Sequence, residues 1–354
     1  MFKEKYNIIG VMSGTSLDGI DLAHIIFTTK NNTWDFKILE TKTVSYSTDW
    51  LNKLKSAISF SSEKLIILNE DYTELLGGII LEFIVKNKIK SIDAVCSHGH
   101  TVLHQPHHGI TLQIGNLPKL ATIIKQKVIC DFRVQDVVLG GQGAPLVPIG
   151  DRILFSEYDY CINLGGFSNL SFEVNQERIA FDICPVNTVL NHYATLLGLP
   201  YDDKGLIAKK GILNNYLLQE LNALEFYQKK HPKSLGFEFV KDIIIPLIDH
   251  YEIAVQDKLH TFTHHIAIQI AKALPQKNGT LFITGGGAYH DFLIESLRKE
   301  LPFAKIIIPS PKIIEFKEAL IFGILGILRM ENKINVLKSV TGAKKNHSSG
   351  KIYE

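Results

Sequence analysis

The sequence has few of the features that mark disulfide-stabilised or membrane-spanning proteins. Its 354 residues include only four cysteines, which are scattered and form no CxxC pair. Isolated thiols of this kind are typical of a reducing compartment. The longest apolar run, residues 319–328, contains two glycines and is far too short to span a bilayer, and the apolar run at the N-terminus is too short for a signal peptide. We therefore expect a cytoplasmic protein.

An excess of charge of either sign is also absent. The formal net charge is +2, and 45% of the residues are hydrophobic and 21% charged, which is a normal globular composition. Because a strong electrostatic field is missing, we expect neither nucleic acid nor a membrane as a partner. The length is sufficient for two domains of ordinary size.

The glycine-rich segments lack a Walker lysine and the GxGxxG spacing, which excludes a P-loop and a dinucleotide-binding turn. The segment GVMSGTSLDGID at residues 10–21 instead joins two apolar runs through a long polar reversal. A hairpin needs only two to five turn residues, and backbone N–H groups in a glycine turn can converge on an anion. We predict that this turn binds phosphate through Ser13, Gly14, Thr15, Ser16 and Asp18, the last through a hydrated Mg²⁺. A polar surface turn is the alternative.

The same strand, glycine turn and strand pattern occurs again in the second half of the chain. The segment NIIGVMSGTSLDGIDLAHI has its counterpart in CINLGGFSNLSFEV, and alternating helices and strands follow both. This repetition predicts an α/β protein of two duplicated domains, residues 1–155 and 156–354, with the ligand site in the cleft between them. The last predicted helix, residues 313–330, falls in the second domain, and the order of the polar tail after residue 338 is left open.

Two further glycine turns are candidates for nucleotide contacts. Gly165 and Gly166 form the second hairpin turn, which together with the first could hold a polyphosphate. Gly285, Gly286 and Gly287 end a predicted strand and open a helix, where a flat ligand such as a base or ribose can approach the backbone closely. Each segment taken alone is equally compatible with an ordinary tight turn.

Two acidic residues are candidates for a catalytic or a metal-binding role. Asp182 is predicted to end a short strand before a helix that starts near Pro185, which suits a general base at the edge of a sheet. Its alternative is a helix N-cap. Glu318 lies on a predicted helix and is a candidate metal ligand, with a solvated helix face as the alternative.

The segment SHGHTVLHQPHHG, residues 97–109, is rich in histidine. It contains neither cysteine nor carboxylate and matches no established zinc spacing, so a loop that binds sugar is favoured over a metal site. Arg133 is a candidate for a two-pronged hydrogen bond to a carboxylate or a hydroxyl pair. A surface salt bridge is its alternative.

Taken together, these segments resemble the anhydro-N-acetylmuramic acid kinase family along nearly the whole chain. The matching blocks occur in the family's order: GVMSGTSLDGID, SHGHTVLHQP, LQIGN, DFRVQD, GGQGAPLVP, NLGGFSN, FDICPVN, TGGGA and KEAL. The resemblance implies two actin-like (ribonuclease H-like) domains around an ATP cleft, as in sugar kinases and heat-shock chaperones. It implies ATP and Mg²⁺ as cofactors, 1,6-anhydro-N-acetylmuramic acid as substrate, and a possible homodimer.

The resemblance also implies a role for individual residues. Asp182 would activate the water that opens the anhydro ring, after which the freed sixth-carbon oxygen is phosphorylated to give N-acetylmuramic acid 6-phosphate. The implied sugar ligands are His98, Arg133 and Asn187, and Glu318 would lie near the phosphates and metal. FDICPVN departs from the family's FDTGPGN, and His100 replaces a usual glutamine. A kinase for another sugar and a non-catalytic nucleotide-binding protein therefore remain alternatives.

Overall fold

The structure is a computed structural model that describes residues 2–14, 17–31 and 33–354. The chain divides into two compact units. Unit 1 comprises Met1–Phe155 together with Phe316–Glu354, and unit 2 comprises Ser156–Glu315. None of the helices in the described ranges has the length and hydropathy needed to cross a membrane.

Unit 1 is built on a seven-stranded mixed sheet. Its strands are β1 (Lys5–Ser13), β2 (Ile20–Lys30), β3 (Thr33–Val44), β4 (Ala94–Gln105), β5 (Ile110–Ile114), β6 (Val128–Cys130) and β12 (Lys351–Tyr353). Its helices are α1 (Thr48–Ser56), α2 (Ser62–Lys86), α3 (Lys119–Ile124), α4 (Val134–Val138), α5 (Val147–Leu154), α13 (Pro311–Met330, which begins in unit 2) and α14 (Lys338–Thr341). The strand order is β12-β6-β4-β1-β2-β3, with β5 paired to β4.

Helix α2 forms because its sequence combines a cap with one apolar face. The Ser61 side chain caps the first turn by accepting from the Lys64 N–H. Buried apolar residues then recur at helical spacing, and they form one core with the inward-facing residues of β1 and β2. The members of this face are Leu65, Leu68, Tyr72, Leu76, Ile80 and Phe83.

Helix α13 packs closely on the sheet of unit 1, through small residues. A Cβ on Gly10 of β1 would overlap the backbone carbonyl of Ala319. Gly323 lies against the Phe27 ring, and Gly326 lies against Cys96. At Gly10 the backbone of the helix leaves no room for a side chain, and Gly323 and Gly326 allow close contact with side chains of β2 and β4.

Unit 2 contains a five-stranded sheet in the order β11-β10-β7-β8-β9. Its strands are β7 (Tyr160–Leu164), β8 (Phe167–Val174), β9 (Glu177–Pro185), β10 (Thr280–Thr284) and β11 (Lys305–Ile307). Its helices are α6 (Asn187–Thr195), α7 (Asn215–Ala223), α8 (Glu225–Gln228), α9 (Phe237–Phe239), α10 (Ile245–Asp249), α11 (Val255–Ala273) and α12 (Asp291–Glu300), with a π-helical stretch (Val240–Ile244) between α9 and α10. The buried face of α11 supplies much of the core.

The two sheets repeat one topology, which confirms the predicted duplication. In unit 1, β1 pairs antiparallel with β2, β2 antiparallel with β3, β1 parallel with β4, and β4 parallel with β6. In unit 2, β7, β8, β9, β10 and β11 repeat these pairings and directions in the same order. Each glycine hairpin turn therefore follows the first strand of its own sheet.

The predicted extent of the second domain needs a correction at its C-terminal end. Residues 316–354 belong with unit 1, because α13 lies on the first sheet and β12 pairs antiparallel with β6. The polar tail is ordered by specific hydrogen bonds. Asn335 donates to the Leu325 carbonyl at 3.0 Å, and the Ser349 hydroxyl donates to the Phe132 carbonyl at 2.6 Å.

Candidate functional site

The first glycine turn joins β1 to β2 at the edge of the sheet in unit 1. Gly14 is half-buried and Asp18 is exposed, so Asp18 is accessible to a hydrated cation. The Ser13 side chain is 2% exposed and its hydroxyl is already bonded to Tyr46 and His100. Thr15 and Ser16, which the sequence predicts as phosphate ligands, lie outside the described residues. The phosphate role of this turn stays a prediction.

His98 and Arg133 form one hydrogen-bonded pair in unit 1. The Arg133 Nε–H donates to His98 Nε2 at 2.8 Å, and His98 Nδ1 donates to the Gly99 carbonyl at 2.8 Å. Burial lowers the pKa of His98 well below its usual range, and the Arg133 charge lowers it further. His98 is therefore a neutral imidazole with both ring nitrogens engaged, and it orients Arg133.

The guanidinium of Arg133 is also held from its other side. Nη1 donates to the Gly143 carbonyl at 2.7 Å, and the Gly143 N–H donates to the buried carboxylate of Asp136 at 2.7 Å. The Thr341 hydroxyl donates to the second oxygen of Asp136 at 2.8 Å. No motif indicates that Asp136 or the tail supports Arg133, because the contact between Thr341 and Asp136 joins residues 205 positions apart.

The histidine-rich segment is mostly strand rather than the predicted loop. Residues 97–105 continue β4, where they pair with β1 and β5, and only Pro106–His108 form a short 3₁₀ turn. The described residues contain no group of three or more potential metal ligands.

Glu318 lies on α13 and is exposed. Dense protein around its carboxylate raises its pKa, and the charge of Arg133 acts in the opposite direction. Mg²⁺ prefers oxygen ligands, and it usually takes only one or two carboxylates while phosphates and water complete its shell. Asp18 and Glu318 carry side chains of the type that Mg²⁺ binds, and their role as its ligands stays a prediction.

In unit 2 the two remaining glycine turns lie side by side. Strands β7 and β10 are parallel and pair Asn163 with Thr284, so Gly165 and Gly285 follow at the same edge. Gly285 has φ 82°, and a Cβ there would lie 2.7 Å from the Leu164 carbonyl carbon. Gly166 and Gly286 are exposed, whereas Gly287 is buried against Leu164.

Asn187, the first residue of α6, is hydrogen-bonded to the glycine turn that follows β7. Its side chain donates to the Leu164 carbonyl at 3.2 Å, and its backbone N–H donates to the Gly165 carbonyl at 3.2 Å. The resemblance to the family implies that Asn187, like His98 and Arg133, is a sugar ligand. The structure instead brings it together with the glycine turns of unit 2, and its contact with sugar stays a prediction.

A pocket of about 820 Å³ opens beside the triple-glycine turn within unit 2. It is lined by Gly286, Ala288 and Tyr289 from the turn, by Asn187 from α6, and by polar residues that include Asp203. This volume lies in the range of small-molecule sites. The sequence identified the glycines but not the opposite wall, residues 201–204, which carries no motif.

Asp182 lies within β9 rather than at its end. It pairs with Asn169 of β8, three residues before the strand ends at Pro185. Its carboxylate is half-buried and accepts the Leu235 N–H at 2.9 Å. Burial raises the pKa of Asp182, and the bond from Leu235 opposes the shift. Val186 occupies the N-cap of α6, so the alternative role of Asp182 as that cap is wrong.

The three residues after Asp182 that differ from the family pattern do not adopt a left-handed backbone conformation. Ile183, Cys184 and Val186 are buried, and none of them has a positive φ. The Cys184 N–H donates to the Ser168 hydroxyl at 3.2 Å.

A family model described as "Anhydro-N-acetylmuramic acid kinase" matches residues 6–354. The chain belongs to this family. A family member named anhydro-N-acetylmuramic acid kinase from Coxiella burnetii (strain RSA 493 / Nine Mile phase I) is 32% identical over 375 residues, covering 100% of this chain and 98% of the relative. A namesake from Francisella tularensis subsp. novicida is 31% identical over 379 residues, covering 99% of each.

Two solved structures of other proteins show a distant similarity. The activator of the 2-hydroxyisocaproyl-CoA dehydratase from Clostridium difficile with bound ADPNP has a TM-score of 0.41 and 13% identity, covering 92% of this chain and 97% of that chain. A ROK family glucokinase from Streptomyces griseus in complex with glucose and AMPPNP has a TM-score of 0.37 and 13% identity, covering 85% and 93%. Scores this low carry no structural argument.

Proposed function

We propose that this protein uses ATP to convert 1,6-anhydro-N-acetylmuramic acid into N-acetylmuramic acid 6-phosphate, a step in the recycling of peptidoglycan. The observation that carries the proposal is the Asp182 carboxylate, which is half-buried, has a raised pKa and is fixed by the Leu235 N–H. A carboxylate in this state suits a general base. The match to the family over residues 6–354 supports the choice of substrate.

In the proposed reaction, Asp182 accepts a proton from water while the water oxygen attacks the anomeric carbon of the sugar. The bond between that carbon and the sixth-carbon oxygen breaks as the new carbon–oxygen bond forms. The released oxygen takes the γ-phosphoryl group of ATP, and ADP leaves. Phosphoryl transfer of this type depends mainly on positioning and on neutralising charge.

Arg133 is the proposed partner of the sugar's lactyl carboxylate. A guanidinium has five N–H donors, of which Arg133 uses two on His98 and Gly143, which leaves three. Those that remain lie in the fixed plane set by the two internal bonds. A planar fork of this kind matches a carboxylate in two-pronged geometry.

The glycine turns and the pocket of unit 2 are the proposed site of ATP. Exposed Gly166 and Gly286 leave backbone N–H groups accessible to phosphate and ribose, and the pocket has room for the nucleoside. Asp18 and Glu318 would hold Mg²⁺, which when bound neutralises phosphate charge.

The proposal is tested by incubating the purified chain with ATP, Mg²⁺ and 1,6-anhydro-N-acetylmuramic acid. We expect ADP release that depends on the sugar, together with a product heavier than the substrate by one water and one phosphoryl group. Release of ADP with another sugar but not with this one would favour a kinase of different specificity. Nucleotide binding without turnover on any sugar would favour a non-catalytic protein.

Replacement of Gly285 by alanine is expected to weaken nucleotide binding by at least about tenfold, since a side chain at positive φ is strained and this one also meets Leu164. Titration with a fluorescent ADP analogue measures the effect. Gly198→Ala is the matched control, because Gly198 also has a positive φ, 76°, but has open space around it. Equal losses in both variants would contradict a specific role of the turn.

Replacement of Arg133 by lysine is expected to raise the KM for sugar about tenfold or more while the KM for ATP changes little. A single ammonium group cannot bond to His98 and Gly143 and still present a fork to the ligand. Arg329→Lys is the matched control, since Arg329 also donates through Nε and Nη1 within unit 1. A larger rise in the KM for ATP than for sugar would refute the assignment.

A further inference from the structure

A chain of three hydroxyl groups ends at His100 inside unit 1. Tyr72 and Tyr46 are joined through their hydroxyl oxygens at 2.6 Å, and Tyr46 and Ser13 at 2.5 Å. The Ser13 oxygen lies 2.9 Å from His100 Nδ1. Tyr72 and Ser13 are almost completely buried, so the protons in this chain must find their acceptors inside the protein.

The number of available protons fixes the direction of these bonds. Three links join the four groups, and the three hydroxyls carry one proton each. If Tyr72 donates to Tyr46, Tyr46 to Ser13 and Ser13 to His100, every proton is used and every link is satisfied. In the reverse direction His100 would donate to Ser13, and the proton of the buried Tyr72 hydroxyl would have no acceptor among the described residues.

The favoured direction determines the tautomer of His100. Its Nδ1 accepts from Ser13, so the ring proton of the neutral imidazole lies on Nε2. Burial lowers the pKa of His100 to about 4, so the ring is neutral at physiological pH. No described residue hydrogen-bonds to Nε2, and His100 as a whole is 3% exposed.

His100 and His98 differ in what they can offer a ligand. Both rings belong to β4, but His98 uses Nδ1 on Gly99 and Nε2 on Arg133. His100 pairs with Ser13 in the β1–β4 register, next to the first glycine turn. Of the two, only His100 has a donor N–H that is not used within the described chain.

We propose that the Nε2–H of His100 donates a hydrogen bond to a neutral oxygen of the sugar, and that the chain from Tyr72 through Tyr46 and Ser13 holds the ring in this state. This inference rests on the proposed function. It makes His100 a sugar-binding residue and gives the Ser13 side chain an internal positioning role instead of contact with phosphate.

The tautomer is tested on the full chain by ¹⁵N spectroscopy of labelled histidine side chains, with the His100 signals assigned from their loss in His100→Gln. We expect unprotonated Nδ1 and protonated Nε2 in the free protein. Addition of 1,6-anhydro-N-acetylmuramic acid should shift the Nε2 signal, and a non-hydrolysable ATP analogue alone should not. A proton on Nδ1, or a shift caused by the nucleotide alone, would overturn the proposal.

Kinetics provide an independent test of the contact. His100→Phe removes the donor and is expected to raise the KM for sugar about tenfold, the worth of roughly one hydrogen bond, with the KM for ATP unchanged. His100→Gln restores an N–H donor and should recover most of the loss. His24→Phe is the control, because His24 is a buried histidine of the same unit whose ring, among the described residues, is hydrogen-bonded to Asn7 alone.

The outcomes separate this inference from the proposed function. If the unmodified chain turns over the sugar but His100→Phe has the same KM for sugar, the role of His100 is wrong and the function stands. If the unmodified chain turns over no anhydro sugar and the Nε2 signal does not respond to it, both are wrong.

Discussion

Replacement of Asp182 by asparagine is expected to lower kcat by about 10²–10⁴-fold, the usual contribution of a general base. Asparagine keeps the shape of the side chain and an oxygen that can accept the Leu235 N–H, so the strand and the 231–236 loop should keep their positions. Nucleotide affinity should not change. Steady-state rates of sugar-dependent ADP release and titration with an ADP analogue measure the two quantities.

A matched control lies on the same strand. Glu177 is exposed at the start of β9, so Glu177→Gln removes a carboxylate without touching the site and should leave kcat unchanged. If Asp182→Asn retained more than about a tenth of the kcat, the loss would fall short of that expected for a base, and Asp182 would not be the group that activates water.

The pH dependence of the reaction follows from the same carboxylate. Burial raises the pKa of Asp182 above the ordinary value of 3.8, and a base acts only when ionised. The kcat should therefore rise with pH through a pKa above that ordinary value, and Asp182→Asn should lack this rise.

The raised pKa of Asp182 also affects stability, because the folded state binds this proton more tightly than the unfolded state. The free energy of unfolding therefore falls as the pH rises from the unfolded pKa to the folded pKa of Asp182, and it stays lower at neutral pH. Asp182→Asn should accordingly lose no stability at neutral pH.

The sequence predicted the architecture because its repeated pattern is local. Two apolar strands flanking a glycine turn are recognisable at residues 7–25 and again at 161–174, and the matching strand orders follow. The placement of α13 could not be predicted in this way. Its apolar residues show that it is buried, but they do not show which sheet it covers. The contact between Gly10 and Ala319 that decides this joins residues more than 300 positions apart.

The site could be predicted only at the level of residue type and turn. Asp182 was recognised from its neighbours, but its support by Leu235 depends on a loop 53 residues away. Ser13 belongs to a polar turn in the sequence, yet its hydroxyl is occupied by groups from β4 and from the segment before α1. The family resemblance implies that His98 is a sugar ligand, whereas its hydrogen bond from Arg133 gives it a role in positioning Arg133. Hydrogen-bond partners of this kind depend on tertiary packing, which a single sequence does not specify.

Loss of the buried ion pair between Lys317 and Asp151 is expected to lower the stability of unit 1 strongly. Lys317 Nζ lies 2.8 Å from Asp151 Oδ1, and the two side chains are only 6% and 5% exposed. The ammonium group also lies 5.5 Å from the centre of the Phe155 ring. Lys317→Met removes this partner from the buried Asp151 carboxylate and is expected to destabilise unit 1 by about 3–5 kcal/mol, the usual cost of removing one member of a buried ion pair.

Urea unfolding followed by tryptophan fluorescence measures this effect in unit 1 alone, since the two tryptophans of the chain, Trp34 and Trp50, both lie there. Lys42→Met is the control, because its pair with Glu82 is exposed and should matter far less. The double variant Asp151→Leu/Lys317→Met should recover most of the lost stability, since it replaces both charged groups of the pair with apolar side chains. If the double variant were as unstable as Lys317→Met, the loss would come from packing around the lysine stem and not from the carboxylate.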